Sequence, residues 1–153
     1  MLKKRWSVHG QFQGNEVMKK TTLAMLILCA SLALPAQAWL EEGFAAYKRG
    51  DYVTALKEWR PLANAGNPIA QASLGGMYEN GQGVPQDKVL AYALFNLSSA
   101  AGDPSTNKPA ARNRNIITKE MTPREIEAGQ ALTRALAQPG NFGKALDTYL
   151  YLK

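Results

Sequence analysis

Two near-identical tetrapeptides, Ala65-Gly66-Asn67-Pro68 and Ala101-Gly102-Asp103-Pro104, lie 36 residues apart, each directly behind an apolar helical pattern. A unit of this length cannot bury its own hydrophobic face and must stack on a neighbour, so the repetition constrains the fold to a solenoid. The same register holds upstream, where Trp59 aligns with Phe95, Ala55 with Ala91 and Asp51 with Asp87 at a spacing of 36. Further back the offset falls to 31, with Tyr47 matching Tyr78 and Gly50 matching Gly81. The second copy therefore carries five extra loop residues, Gln82–Gln86.

Each unit reads as two helices. In the second copy Ala70, Leu74, Met77 and Tyr78 fall at i, i+4, i+7 and i+8, one stripe of a helical period, which predicts a helix over 69–80. Gly81 and Gly83 accept the positive φ that ends a helix, and Pro85 stops it from rewinding. Asp87 is the expected N-cap of a second helix over 88–101, which sets Leu90, Leu94 and Leu97 beside Ala91, Phe95 and Ser98. Small residues at Ala70, Ala72, Gly75, Gly76, Ala91 and Ala93 let the two backbones approach, while Tyr78 and Phe95 fill the space that remains. Gly102 is expected in the left-handed conformation beyond the second helix. A phosphate-binding loop does not fit, since it follows a strand and needs a downstream Gly-Lys-Ser/Thr.

The residues Ala70, Ala72, Leu74, Gly75, Tyr78, Gly81, Gly83 and Val84, continued by Asp87, Ala91, Phe95 and Ala100-Ala101-Gly102, resemble a Sel1-like repeat, a relative of the tetratricopeptide repeat with a longer interhelical loop. Phe95 departs from the family, which often has Trp or Tyr there, and the preceding copy lacks the long loop and looks more like a plain tetratricopeptide hairpin. The resemblance implies an all-α fold, a short right-handed α-solenoid of stacked antiparallel helical hairpins. It divides the chain into a first hairpin at about 40–66, the full repeat at 68–102, a degenerate hairpin at about 109–138 and a capping helix at about 141–152.

The first hairpin places Phe44, Ala45 and Tyr47 on one helix, turns at Arg49-Gly50, and enters the next at Asp51. Pro61 predicts a kink or break in that second helix. Residues 103–109, DPSTNKP, read as a polar connection into a basic helix over 110–119. Thr122-Pro123-Arg124-Glu125 is a capping box with proline at the first helical position, and Ile126, Ala128, Ala131, Leu132, Ala135 and Leu136 supply the buried stripe behind it. Gly140-Asn141-Phe142, Ala145-Leu146 and Tyr149 echo Gly50-Asp51-Tyr52, Ala55-Leu56 and Trp59, which reads as a half-repeat packed over the stack. A frayed amphipathic tail is the alternative.

Met18-Lys19-Lys20, a twelve-residue apolar run from Leu23 to Leu34, and Ala36-Gln37-Ala38 have the build of a secretory signal peptide cut after Ala38. The run is too short to span a bilayer. Residues 1–17 read as an upstream extension, with Met18 the expected initiator and a long basic leader the alternative. Cys29 follows Leu28 in mid-run, which does not fit a lipid-attachment motif. The expected location is the periplasm or beyond. Cys29 and His9 are the single residues of their kinds and both precede the cut, so residues 39–153 hold no thiol and no imidazole. Zinc ligation by Cys or His and thiol or Ser-His-Asp catalysis are thereby removed, and neither a metal nor a cofactor is expected.

The formal charge of +6 is concentrated ahead of the cut, because residues 39–153 have 13 basic and 11 acidic side chains. Nucleic acid is therefore not an expected partner. The local cluster Lys108, Arg112, Arg114 and Lys119 suits an acidic partner or a glycan, or is a solvated face. Exported proteins resembling this one imply a non-catalytic interaction module, an adaptor or scaffold that takes a peptide or partner protein of the envelope on a solenoid surface. Lys48, Gln71, Ser73 and Asn80, helix positions not needed for packing, are the candidate contacts; ordinary solvated side chains are the alternative. A cell-wall or β-lactam-directed enzyme would draw on Glu58, Glu79 or Asp87. A modulator that occludes an envelope enzyme is a narrower form of the interaction reading.

Overall fold

In the computed structural model, which describes residues 37–101 and 104–153, the chain turns wherever a short polar side chain and a glycine meet. Helical residues 37–48 (α1) stop short of Gly50, whose φ is 79°. Asp51 then caps α2 (Tyr52–Asn64) by accepting from the Thr54 N–H at 3.1 Å. Asn67 caps α3 (Pro68–Asn80), accepting from the N–H groups of Ile69 and Ala70. The break expected at Pro61 does not occur, since α2 runs on to Asn64. Its last turn is held from both sides: Leu62 and Ala63 are buried, and the carbonyls of Pro61, Leu62 and Ala63 accept from Ala65, Asn67 and Gly66.

The repeat at the centre of the chain has the predicted helices. Gly81, φ 65°, closes α3, and Asp87 caps α4 (Lys88–Ala101) with Oδ1 3.0 Å from the Leu90 N–H. Gly83, φ 71°, passes so close to α2 that a Cβ there would lie 2.6 Å from the Tyr52 Cβ. Gln82 fastens this loop to the first hairpin, accepting from the Tyr47 hydroxyl at 2.7 Å and donating to that of Tyr52. Inside the repeat Phe95 is fully buried, and a Cβ on Gly75 would sit 2.9 Å from its ring. Ala70, Leu74, Tyr78 and Ala91 are buried with it, and Val84 packs against the same core. In the first hairpin Trp59 fills the equivalent place, its Nε1 donating to the Leu40 carbonyl and its ring set edge-on to Phe44 at 5.0 Å.

Helix α4 also carries the C-terminal part of the chain. The stretch expected as a third helical pair forms α5 (Pro104–Thr118) and α6 (Pro123–Leu136), each packed on α4 rather than on the other. The connection expected over 103–109 is helical from Pro104 onward, with Pro109 inside α5. Burial of Ala110 and Ile117 outweighs the intrahelical bond that Pro109 cannot donate. The capping box at Thr122 is formed, with Thr122 N–H on Glu125 Oε2 at 2.7 Å. Of the stripe expected on α6, Leu132 and Leu136 are buried while Ala128 and Ala131 face solvent. Gly129 takes the contact instead, because the Tyr92 ring lies where its Cβ would be, 2.5 Å from that position. α7 (Phe142–Tyr151) buries Phe142 and Leu146 and packs on α6. It also reaches back to α2, where Arg60 pairs with Asp147 and Asn64 Oδ1 accepts from the Gly143 N–H.

Among the described residues there are seven helices and no strand, and residues 38–153 form one compact unit with an α-solenoid architecture. His9, Cys29, Gly102, Asp103 and the expected leader up to residue 36 lie outside the described residues.

Candidate functional site

The four expected contact residues do not converge. Lys48 is exposed near the end of α1, and Asn80 is exposed at the end of α3, its Nδ2 donating back to the Gly76 carbonyl. Ser73 is half-buried and lines a small hollow with Ile69 and Pro109. Gln71, two residues away, points to the opposite side of α3, since two residues rotate a helix by about 200°. It is 4% exposed, so the expectation of a solvated contact residue is corrected. The α2–α3 turn folds over this position, and Gln71 Nε2 donates to the Ala63 carbonyl at 3.2 Å.

That bond fixes the amide, because the reverse orientation would set two oxygens against each other. Among the described residues Gln71 Oε1 is left buried and without a hydrogen-bond partner. A buried acceptor in that state is costly, and costs of this kind collect at functional positions. Gln71 lines an open groove of about 360 Å³ bordered by the α2–α3 turn, the end of α4 and the α6–α7 turn. Leu97, Leu136 and Phe142 give it apolar walls, Asn64 and Gln138 add polar ones, Ala100 leaves it open, and among the described residues no charged side chain lines it. Its walls come from positions 63 to 142, most of them near helix ends and scattered over four helices and two turns, so no local pattern marks them as one site. A groove whose described lining is uncharged and holds one buried acceptor suits an apolar segment that offers an N–H.

The carboxylates weighed for catalysis have other work or other company. Asp87 Oδ1 accepts from the Tyr149 hydroxyl at 3.2 Å as well as from Leu90, and its Oδ2 takes the Lys153 ammonium at 2.6 Å. Burial, then the charge and hydrogen bond of Asp87, raises the Tyr149 hydroxyl far above its ordinary pKa. Burial likewise raises Tyr78, helped by the charges of Asp87 and Asp147 against that of Arg60. Burial, with the nearby charge of Glu120, holds Glu79 above the ordinary carboxylate range. No local pattern pointed to this neighbour, which lies 41 positions further on in the turn before α6. Among the described residues no group of three His, Cys, Asp or Glu is placed to hold a metal ion.

Residues 68–103 match the family model of the Sel1 repeat. The chain contains a Sel1 repeat. No curated protein and no solved structure matches it. The Sel1 repeat covers α3, the loop over 81–87 and α4, so it supplies Gln71, Leu97 and Ala100 to the groove and Asp87 to the cluster with Tyr149. Leu136 and Phe142, the facing walls, come from beyond the Sel1 repeat.

Proposed function

We propose that this protein is an exported, non-catalytic adaptor that holds an uncharged peptide segment of an envelope protein in the groove beside Gln71. The observation that carries the reading is Gln71 Oε1, buried and without a hydrogen-bond partner among the described residues, in a groove whose described lining is uncharged and mostly apolar. A backbone N–H of the bound segment meets the acceptor, and small apolar side chains replace solvent against Leu97, Leu136 and Phe142. The Sel1 repeat supports an interaction role, since such repeats generally mediate contacts between proteins. Export rests on the leader pattern ending at Ala38, and N-terminal sequencing of the exported chain checks it by finding Trp39 first.

The test is capture from an envelope extract with two variants. Ala100→Trp fills the groove from an exposed position, whereas Val53→Ser alters a side chain that is exposed on α2 and remote from the lining. A stoichiometric protein held by the wild type and by Val53→Ser, and lost by Ala100→Trp, is the expected result. Equal retention by Ala100→Trp would remove the groove from the account.

A second reading, a cell-wall or β-lactam-directed hydrolase, draws on Glu79, whose raised pKa beside Glu120 suits a general acid. Hydrolysis of a chromogenic β-lactam or of purified wall, abolished by Glu79→Gln and untouched by Ala100→Trp, would put catalysis ahead of binding.

A further inference from the structure

We propose that the outer face of α5 is a second docking surface, independent of the groove, which takes an acidic amphipathic segment of a partner protein. On α5, Lys108, Arg112 and Asn115 fall within an arc of about 60°, along about 10 Å of axis, and Lys119 follows in the turn just past the helix end. All four are exposed, and Ile116 stands beside them 45% exposed. Arg114, part of the same cluster in sequence, is held at the edge of this face: its Nη1 donates to Asn96 Oδ1 on α4 at 3.0 Å, and its Nε and Nη2 donate to Asn115 Oδ1. The structure thus divides four cations into one that fastens α5 to α4 and three left on the free face.

These three have no carboxylate partner among the described residues. Between Pro104 and Lys119 there is no acidic side chain, and Glu120, the next along, is committed to Lys88 at 2.9 Å. Residues 108–119 therefore carry a charge of +4, while the rest of 39–153 has nine cations against eleven anions, a charge of −2. A helix face that repels its own kind and finds no counter-charge among the described residues is complementary to carboxylates from outside. Shallow hollows flank Arg112 and Ile116, which gives an incoming side chain somewhere to sit.

The chemistry of the face selects among anionic partners. An anionic lipid surface is held by clusters of about four to eight cations, more than the three free here, and by large apolar side chains that insert, of which this stripe has Ile116. Single-stranded nucleic acid needs aromatic platforms, and α5 has no aromatic residue. A helix with carboxylates spaced at one turn and at three turns, and one apolar residue to cover Ile116, satisfies every exposed group.

The experiment is fluorescence anisotropy of the full-length protein with a labelled 16-residue peptide carrying three Glu at the matching spacing and one Leu. A peptide of the same composition with the Glu positions shuffled is the companion probe. Saturable binding at low salt, weakened at least about tenfold at 0.5 M salt, is expected. Arg112→Glu/Lys119→Glu should abolish it, while Lys57→Glu/Lys144→Glu, the same charge change at exposed sites on α2 and α7, should weaken it less than about threefold. Circular dichroism of each variant confirms that the helices are intact. No binding, equal binding of the shuffled peptide, or equal loss in both double variants overturns the proposal. Binding to phosphatidylglycerol vesicles without binding to the peptide overturns it in favour of a membrane surface.

Discussion

Replacing Asp87 by alanine should cost more than the loss of one helix cap, because a single carboxylate joins the start of α4 to the end of α7. Its Oδ1 caps Leu90, a contact worth about 1 kcal/mol. The same oxygen is the acceptor for Tyr149, whose half-buried hydroxyl would be left to partial solvation, at a further cost of about 1–2 kcal/mol. Lys153 is 54% exposed, so its ion pair adds little at ordinary salt. Asp87→Ala should therefore destabilise the protein by about 2–3 kcal/mol, a sizeable share of the roughly 5–15 kcal/mol typical of a domain. Asp87→Asn keeps a carbonyl oxygen for both Leu90 and Tyr149 and should cost about 1 kcal/mol or less. Urea unfolding gives the comparison, and a double-mutant cycle with Tyr149→Phe isolates the link between α4 and α7. Equal costs for Asp87→Ala and Asp87→Asn, or strict additivity with Tyr149→Phe, would refute the argument.

Adjacent glycines in α3 should respond with opposite signs. Gly75→Ala presses a methyl against the buried Phe95 ring and should lose about 1–2 kcal/mol, whereas Gly76, with open space around it, should gain up to about 1 kcal/mol as alanine; thermal melts of the two variants decide. Alkaline conditions should weaken the fold. Tyr149 and Tyr78 have pKa values raised above 10.0 in the native state, so the unfolded chain gives up its protons first and stability, intact below that pH, falls as pH rises past it. The urea midpoint should drop between about pH 9 and pH 11, less steeply in Tyr149→Phe. Gln71→Met should leave stability within about 1 kcal/mol, since it removes an orphaned acceptor and Ala63 still accepts from Gly66, while abolishing capture of the groove's partner.

The repeat was the most legible part of the chain, because its helix limits follow from local chemistry. Asn67, Gly81 and Asp87 are helix punctuation in sequence and cap the same helices in space. Pro104 and Pro109 misled for the same local reason: prolines mark a connection, and only contact with α4 shows that Ala110 and Ile117 gain enough by burial to make this stretch helical. Gly129 was overlooked on α6 because a glycine scores as a weak helix residue, while its use lies in a Tyr92 ring 37 positions away. The groove was least legible. Gln71 is polar, and period alone set it on a solvated face; the turn over 64–66 that buries it belongs to the preceding hairpin.

α7 also changes what kind of object this solenoid is. In an open array each unit touches its immediate neighbours, so units can be added or lost, and an end can fray while the rest stands. Here Asp147 meets Arg60 and Gly143 meets Asn64 across 87 and 79 positions of sequence, while Tyr149 rests on the cap of the middle unit. The last helix thereby ties the first pair to the third and turns a ladder into a ring of contacts. Such a molecule is expected to lose its ends and its middle together, and coincident urea transitions followed at Trp59 and by circular dichroism would check this. It is also fixed in length, since one more unit inserted after α4 would carry α7 out of reach of α2.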